Sequence, residues 1–155
     1  MKFEYKEPTK KDFTQILEII NSARKPYKNL EVYKKMGAKD TTLEDLKKNE
    51  QGRKYRIFIK DNEIIGFCAF KYRSRKITWL SQFYIKPDSQ GRGCGKKFLE
   101  YLENEISEKS KYSVLEYWPD ASWAKDFYEK QGYAENKSVF ESKSNYTKVL
   151  VKEVG

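Results

Sequence analysis

Between Phe83 and Lys97 the chain reads Phe-Tyr-Ile-Lys-Pro-Asp-Ser-Gln-Gly-Arg-Gly-Cys-Gly-Lys-Lys, and no other stretch restricts the fold as severely. A strand-like run stops at Pro87, passes three alternating glycines, and continues as a helix whose apolar face is Phe98, Leu99, Leu102 and Ile106. Glycine allows a sharp turn and lets amide N–H groups approach a ligand with no Cβ in the way. At a helix start those unpaired N–H groups and the positive end of the dipole attract an anion. Arg92, Lys96 and Lys97 add positive charge at the same place. The segment predicts a strand–loop–helix unit that cradles a pyrophosphate.

Spacing narrows the kind of cradle. A P-loop needs glycine, four residues, then Gly-Lys-Ser/Thr. Counting back from Gly95-Lys96 puts Gln90 at the first glycine and Lys97 at the hydroxyl position. The dinucleotide fingerprint fails too, because Lys96 or Phe98 stands where its third glycine belongs. What fits is Gln-x-x-Gly-x-Gly at Gln90, Gly93 and Gly95, preceded by Tyr-Ile-Lys-Pro. This pattern resembles the acetyl-CoA-binding motif of the GNAT superfamily of N-acetyltransferases. The resemblance implies acetyl-CoA as co-substrate, with the pyrophosphate on the loop of Gln90, Gly91, Arg92, Gly93, Cys94, Gly95 and Lys96. It also implies that the exposed backbone of Phe83, Tyr84 and Ile85 pairs with the pantetheine arm as an added strand does.

Composition sets limits on the chemistry. The 155 residues suit one N-acetyltransferase-like domain over 1–155, large enough to bury about 70% of its unfolded surface. The chain has 32 basic and 23 acidic side chains, a net charge of +9, which favours anionic partners. It contains no histidine, so Ser-His-Asp and Cys-His machinery and His-rich zinc sites cannot be built. Cys68 and Cys94 are too few for a cysteine metal cluster or a disulfide framework, and no metal is expected. Direct transfer from a thioester to an amine satisfies these restrictions. Residues 1–13 lack the apolar region of a secretory signal, and the longest apolar run, Ile64–Phe70, is too short to span a bilayer. A cytoplasmic protein is expected; a homodimer is compatible with the sequence.

Along the chain, Phe3–Glu7 reads as a strand, followed by a helix with Phe13, Ile16, Leu17 and Ile20 on one face. Residues 23–40 are irregular, basic and aromatic, with a short helix through Leu30 and Tyr33. Thr41 and Glu44 form a capping-box pattern that opens a helix to about Asn49. Strands follow at Tyr55–Lys60, Ile64–Tyr72 and Ile77–Lys86, with Asp61-Asn62-Glu63 as a hairpin turn. After the glycine loop and its helix come a strand at Ser113–Tyr117 and a helix at Ser122–Gln131 ended by Gly132. Two last strands are predicted at Val139–Ser142 and Tyr146–Lys152. The order β-α-α-β-β-β-α-β-α-β-β gives an α/β class with a single mixed sheet flanked by helices. It is also the order of the GNAT fold.

Ala124-Lys125-Asp126-Phe127-Tyr128, ending at Gly132-Tyr133, is similar to a second GNAT signature, on the helix beside the cofactor's thiol. By motif position Tyr128 is the general acid that protonates the leaving thiolate. Two positions depart from the family pattern. Ala121 stands where an asparagine is common, leaving Asp120 or Ser122 to supply a cofactor hydrogen bond. Leu80-Ser81-Gln82 stands where many members carry a basic glutamate. The base is then Glu116, on the next strand, or a water held by Ser81 or Gln82. Cys94 sits inside the loop but reads as a packing residue rather than a nucleophile.

The acceptor implied is a small-molecule amine or a peptide N-terminus, because a protein at +9 repels polycations. Tyr27, Tyr33, Tyr133 and Phe140 are candidate walls of its pocket. Polyamines would require Glu31, Glu44, Glu116 and Asp120 to converge. Another class of function is a basic nucleic-acid-binding module, supported by the charge and by Lys71–Lys76 and Arg53–Arg56. No recognised nucleic-acid motif accompanies these clusters, and nucleic acid is not the expected partner.

Overall fold

A computed structural model describes residues 2–35, 37 and 39–155; residues 1, 36 and 38, part of the N-terminal stretch and of the irregular 23–40 segment, lie outside it. Strand β1 (Phe3–Lys6) pairs antiparallel with β2 (Lys54–Lys60), which pairs antiparallel with β3 (Glu63–Tyr72). Asp61 and Asn62 join the last two with φ of 47° and 70°, the left-handed pair that a two-residue hairpin turn requires. Strand β4 (Ile77–Ile85) is antiparallel to β3 and parallel to β5 (Tyr112–Tyr117), and β6 (Lys148–Glu153) closes the sheet antiparallel to β5. The six strands lie in chain order in one mixed sheet. The expected α/β architecture is present.

Among the described residues five α-helices accompany the sheet: α1 (Phe13–Ala23), α2 (Glu31–Lys35), α3 (Leu43–Lys48), α4 (Cys94–Ser107) and α5 (Ser122–Lys130). Helix α4 lays Phe98, Leu99, Leu102 and Ile106 on one face, against Phe58, Cys68, Phe70, Leu80, Ile85 and Leu115. On the other face, Ile16 and Ile20 of α1 and Leu46 of α3 cover Ile57, Phe67 and Ala69. Gly66 lets α4 approach, since a Cβ there would stand 2.9 Å from the fully buried Phe98 ring. Gly66→Val is therefore expected to destabilise the fold by about 1–3 kcal/mol, read as a lower midpoint in denaturant. A polar tie crosses the same layer: Arg56 donates to both oxygens of Glu105 at 2.9 and 2.7 Å, and the Tyr5 hydroxyl donates to it at 2.6 Å. Burial alone would raise the Glu105 pKa, but these hydrogen bonds hold it below the usual carboxylate range.

Two local expectations are corrected. The capping box of α3 uses Thr42 and Asp45, whose side chains exchange hydrogen bonds with each other's amides at 3.2 and 2.9 Å. Thr41 is drawn away by Asn21, which bonds both its amide and its carbonyl. The strand expected at Val139–Ser142 does not form, so the order ends in a single strand after α5. The amides of Val139 and Phe140 turn back to the Asn136 carbonyl at 3.0 and 3.1 Å. Phe140 packs on Trp79 with ring centroids 5.2 Å apart, so this segment covers the sheet's face rather than extending its edge.

Candidate active site

The sheet opens at its parallel pair. Residues Ile77–Leu80 of β4 pair with Tyr112–Leu115 of β5, and from Ser81 onward β4 has no partner on that side among the described residues. The opening begins at an irregularity: Ala69 of β3 faces Gln82, but Phe70 faces Leu80, which leaves Ser81 as an extra residue. The Lys86 amide donates to the Ile65 carbonyl at 2.7 Å, toward β3. Strand alternation then turns the backbone groups of Phe83 and Ile85 toward the gap, while Tyr84 pairs inward with Phe67. The Ile85 carbonyl accepts from Gln90 Nε2 at 3.0 Å. Gln90 thus braces the loop against the strand, and Phe83 is left to present a strand-like edge in the gap.

At the mouth of the gap lies the glycine loop. Gly91 and Gly93 have φ of 75° and 78°, where an L side chain is strained, and Gly93 precedes the first turn of α4. Gly95 serves packing instead: a Cβ there would lie 3.2 Å from the Phe127 ring. Among the described residues, none accepts a hydrogen bond of normal geometry from the amides of Gly91 to Lys96. Arg92 and Lys96 are exposed and make no ion pair there, whereas Lys97 lies over the Phe3 ring at 5.1 Å. Six amides without acceptors and two cations without ion pairs thus meet at this loop, a combination that suits an anion. The Cys94 side chain is buried in the α4 core, as a packing residue would be.

Helix α5 closes the other side. Phe127 and Tyr128 pack against Phe83 with centroids 6.1 and 6.4 Å away, which places Tyr128 beside the gap. Its hydroxyl has no hydrogen-bond partner among the described residues. Burial foremost, then Tyr27 and Tyr84, pushes its pKa well above the ordinary value, so it stays a proton donor. Burial likewise raises Tyr27 to about 12. Tyr27 packs edge-on to Trp118 and Trp123 at 5.5 and 5.1 Å, bridging from the segment after α1 to the far side of the gap. Glu116 is exposed on β5; because Leu115 belongs to the α4 core, Glu116 faces the α1 side, as Gln82 and Tyr84 do. Its carboxylate accepts from the Thr147 hydroxyl.

The other expected residues divide. Tyr27 and Tyr33 lie by the gap, Tyr33 edge-on to Trp118 at 5.5 Å. Tyr133 is core, its hydroxyl donating to Ser113 at 2.9 Å, and Phe140 covers β4 and β5. Glu31 pairs with Lys35 and Glu44 with Lys48, each on its own helix, so these acids do not converge. In the basic clusters Tyr55 is buried and donates to the Leu46 carbonyl, and Arg56 is spent on Glu105. Missed by the sequence reading is a cleft of about 260 Å³ on the α1 side, lined by Thr41, Leu46, Arg53, Tyr55 and Gln82 among others.

The model of the acetyltransferase (GNAT) domain matches residues 52–135. The chain belongs to the GNAT acetyltransferase family. No match exists among curated protein sequences. Among solved structures it is similar to an acetyltransferase from Thermus thermophilus, with 20% identity, 99% of this chain and 97% of that one covered, and a TM-score of 0.76. It is similar to the PaiA N-acetyltransferase of Thermoplasma acidophilum in complex with coenzyme A, with 19% identity, 99% coverage of both and a TM-score of 0.76. A third is the ribosomal-protein-S18-alanine N-acetyltransferase of Escherichia coli, with 14% identity, 99% and 95% coverage and a TM-score of 0.74. At these identities the shared property is the fold. Among the described residues, no helix is long and apolar enough to cross a membrane.

Proposed function

We propose that the protein transfers an acetyl group from acetyl-CoA to a primary amine by direct attack in a ternary complex. The observation that carries this reading is the gap between β4 and β5. It runs from the unpaired amides of Gly91–Lys96 to the unpartnered hydroxyl of Tyr128. The loop residues Gln90, Gly91, Arg92, Gly93, Cys94, Gly95 and Lys96 form the pyrophosphate cradle, with Gln90 and Cys94 acting through the loop's shape. On the strand Phe83, Tyr84 and Ile85, the backbone edge left open at Phe83 receives the pantetheine arm. Tyr84 holds the strand to β3, Ile85 holds the loop through Gln90, and a backbone N–H on the open edge stabilises the oxyanion. The amine nitrogen forms a bond to the thioester carbon, the carbon–sulfur bond breaks, and Tyr128 gives its proton to the departing sulfur. Glu116 takes the amine's proton, directly or through a water held by Ser81 or Gln82.

The acceptor is a small-molecule amine or a peptide N-terminus, whose unperturbed pKa near 8 asks less of a base than a lysine does. Free thiol released from acetyl-CoA at low ionic strength is expected to rise fastest with a free peptide N-terminus. A lysine peptide with a blocked N-terminus and spermidine should be slower. Thiol release with none of the three, or a wide lead for spermidine, would count against the transfer and the acceptor respectively.

A further inference from the structure

Tyr55, Ala69 and Gln82 lie in register across β2, β3 and β4 and face α1 and α3. The small Ala69 stands between these two long side chains, and Tyr55 and Gln82 both line the cleft of about 260 Å³. Arg53, two residues before Tyr55, lines this cleft half-buried, and its Nε–H is sealed from solvent with no acceptor. A buried donor on a charged group without an acceptor is unfavourable by the full desolvation of that group. The acids that line the cleft do not relieve it. Asp45 and Glu50 line the same cleft, yet neither pairs with Arg53, and Asp45 is occupied by the Thr42 amide at 2.9 Å. Lys48, also on the cleft, is paired with Glu44 at 3.1 Å, and Lys71 donates to the Gln51 carbonyl at 2.8 Å.

A second guanidinium stands nearby. Arg24 Nη1 donates to the hydroxyl of Thr41, another lining residue, at 3.2 Å and lies over the Tyr33 ring at 5.6 Å, also without a carboxylate partner among the described residues. Gln82 joins the cleft to the gap, because it sits at the point where β4 parts from β5. Strands lie about 4.8 Å apart, so β2 is about 10 Å from the β4 edge where the amine must meet the thioester.

We infer that the Arg53 cleft is a subsite for a carboxylate carried by the amine acceptor. Resting on the acetyl-transfer reading, it makes the acceptor class an amine with a carboxylate several bonds away, rather than a diamine or an apolar monoamine. The net charge of +9 draws such acceptors in and turns polyamines away.

Calorimetric titration of the protein saturated with CoA tests this without turnover. The wild type is expected to bind 5-aminopentanoate about 10- to 100-fold more tightly than pentylamine, the range of a charge-assisted hydrogen bond. Arg53→Met should collapse that ratio to near one, and Arg53→Lys should recover part of it. Equal binding of the two ligands to the wild type, binding of neither, or a ratio that survives in Arg53→Met overturns the subsite. Should Arg53→Met not fold, displacement from the wild type decides: glutarate should compete with 5-aminopentanoate and 1,5-diaminopentane should not, and the reverse order overturns it. Because CoA replaces acetyl-CoA, preference without later acetylation would reject only the transfer. Acetylation of pentylamine without any preference would reject only the subsite.

Discussion

Tyr128→Phe is expected to lower kcat by about 100-fold or more while leaving the affinity for acetyl-CoA near that of the wild type. The ring supplies the packing against Phe83 and Phe127, and the substitution keeps it. The hydroxyl has no partner among the described residues, and in the proposed transfer it acts only when sulfur departs. Burial keeps it protonated well beyond neutral pH, and the chain contains no histidine to titrate there. The rate should therefore rise with pH as the acceptor amine loses its proton, with no falling limb through the neutral range. Glu116→Gln adds a second reading: a loss at neutral pH that is recovered at high pH assigns the base to Glu116. Single-turnover rates across pH make both comparisons, and a Tyr128→Phe variant of full activity would remove the general acid.

Gly93→Asp is expected to abolish the stabilisation that acetyl-CoA provides. In the wild type, ligand at a hundred times its dissociation constant adds about 2.7 kcal/mol, or roughly 5–11 °C in melting temperature for a chain of this size. The Gly93 conformation, at φ 78°, costs a side chain about 1–2 kcal/mol. A carboxylate about 6 Å from a phosphate charge opposes binding by about 3 kcal/mol at an effective dielectric of 20, roughly 100-fold. Space is not the obstacle, since a Cβ at Gly93 meets nothing within 4 Å. Gly93→Ala should accordingly retain most of the thermal shift. A wild type whose melting temperature ignores acetyl-CoA would defeat the cofactor assignment itself.

The features legible in the sequence were those whose cause is local. The glycine loop had to turn where it does because positive φ is needed at Gly91 and Gly93, and the apolar spacing after it allowed only a helix. Tyr128 was singled out by the resemblance of Ala124–Tyr133 to a family signature, whereas the helix that carries it was legible from its apolar spacing and from Gly132, whose φ is 95°. Choices between near-equal local options were not legible. Thr41 and Thr42 both precede an acid by three residues, and only the Asn21 side chain, on another helix, decides between them. The pair Val139-Phe140 suits a strand or a covering loop equally well, and the apolar face over Trp79 settles it. Arg53 was legible only as part of a basic cluster and its cleft was not, because the lining comes from α3, the turn after it, β2 and β4, which only the fold brings together.

The extra residue at Ser81 sets the phase of everything beyond it. Leu80 faces α4, and strict alternation from there would send Phe83 and Ile85 to the α1 side and Tyr84 to the α4 side. With one residue absorbed, Phe83 and Ile85 instead pack under α4 and α5 while Gln82 and Tyr84 face α1. A single short strand thereby anchors the helix that follows the glycine loop and also presents Gln82 and Tyr84 to the α1 side. Its frame behaves like that of a coding message: any side chain at position 81 preserves it, whereas losing the position exchanges the two faces of the site at once.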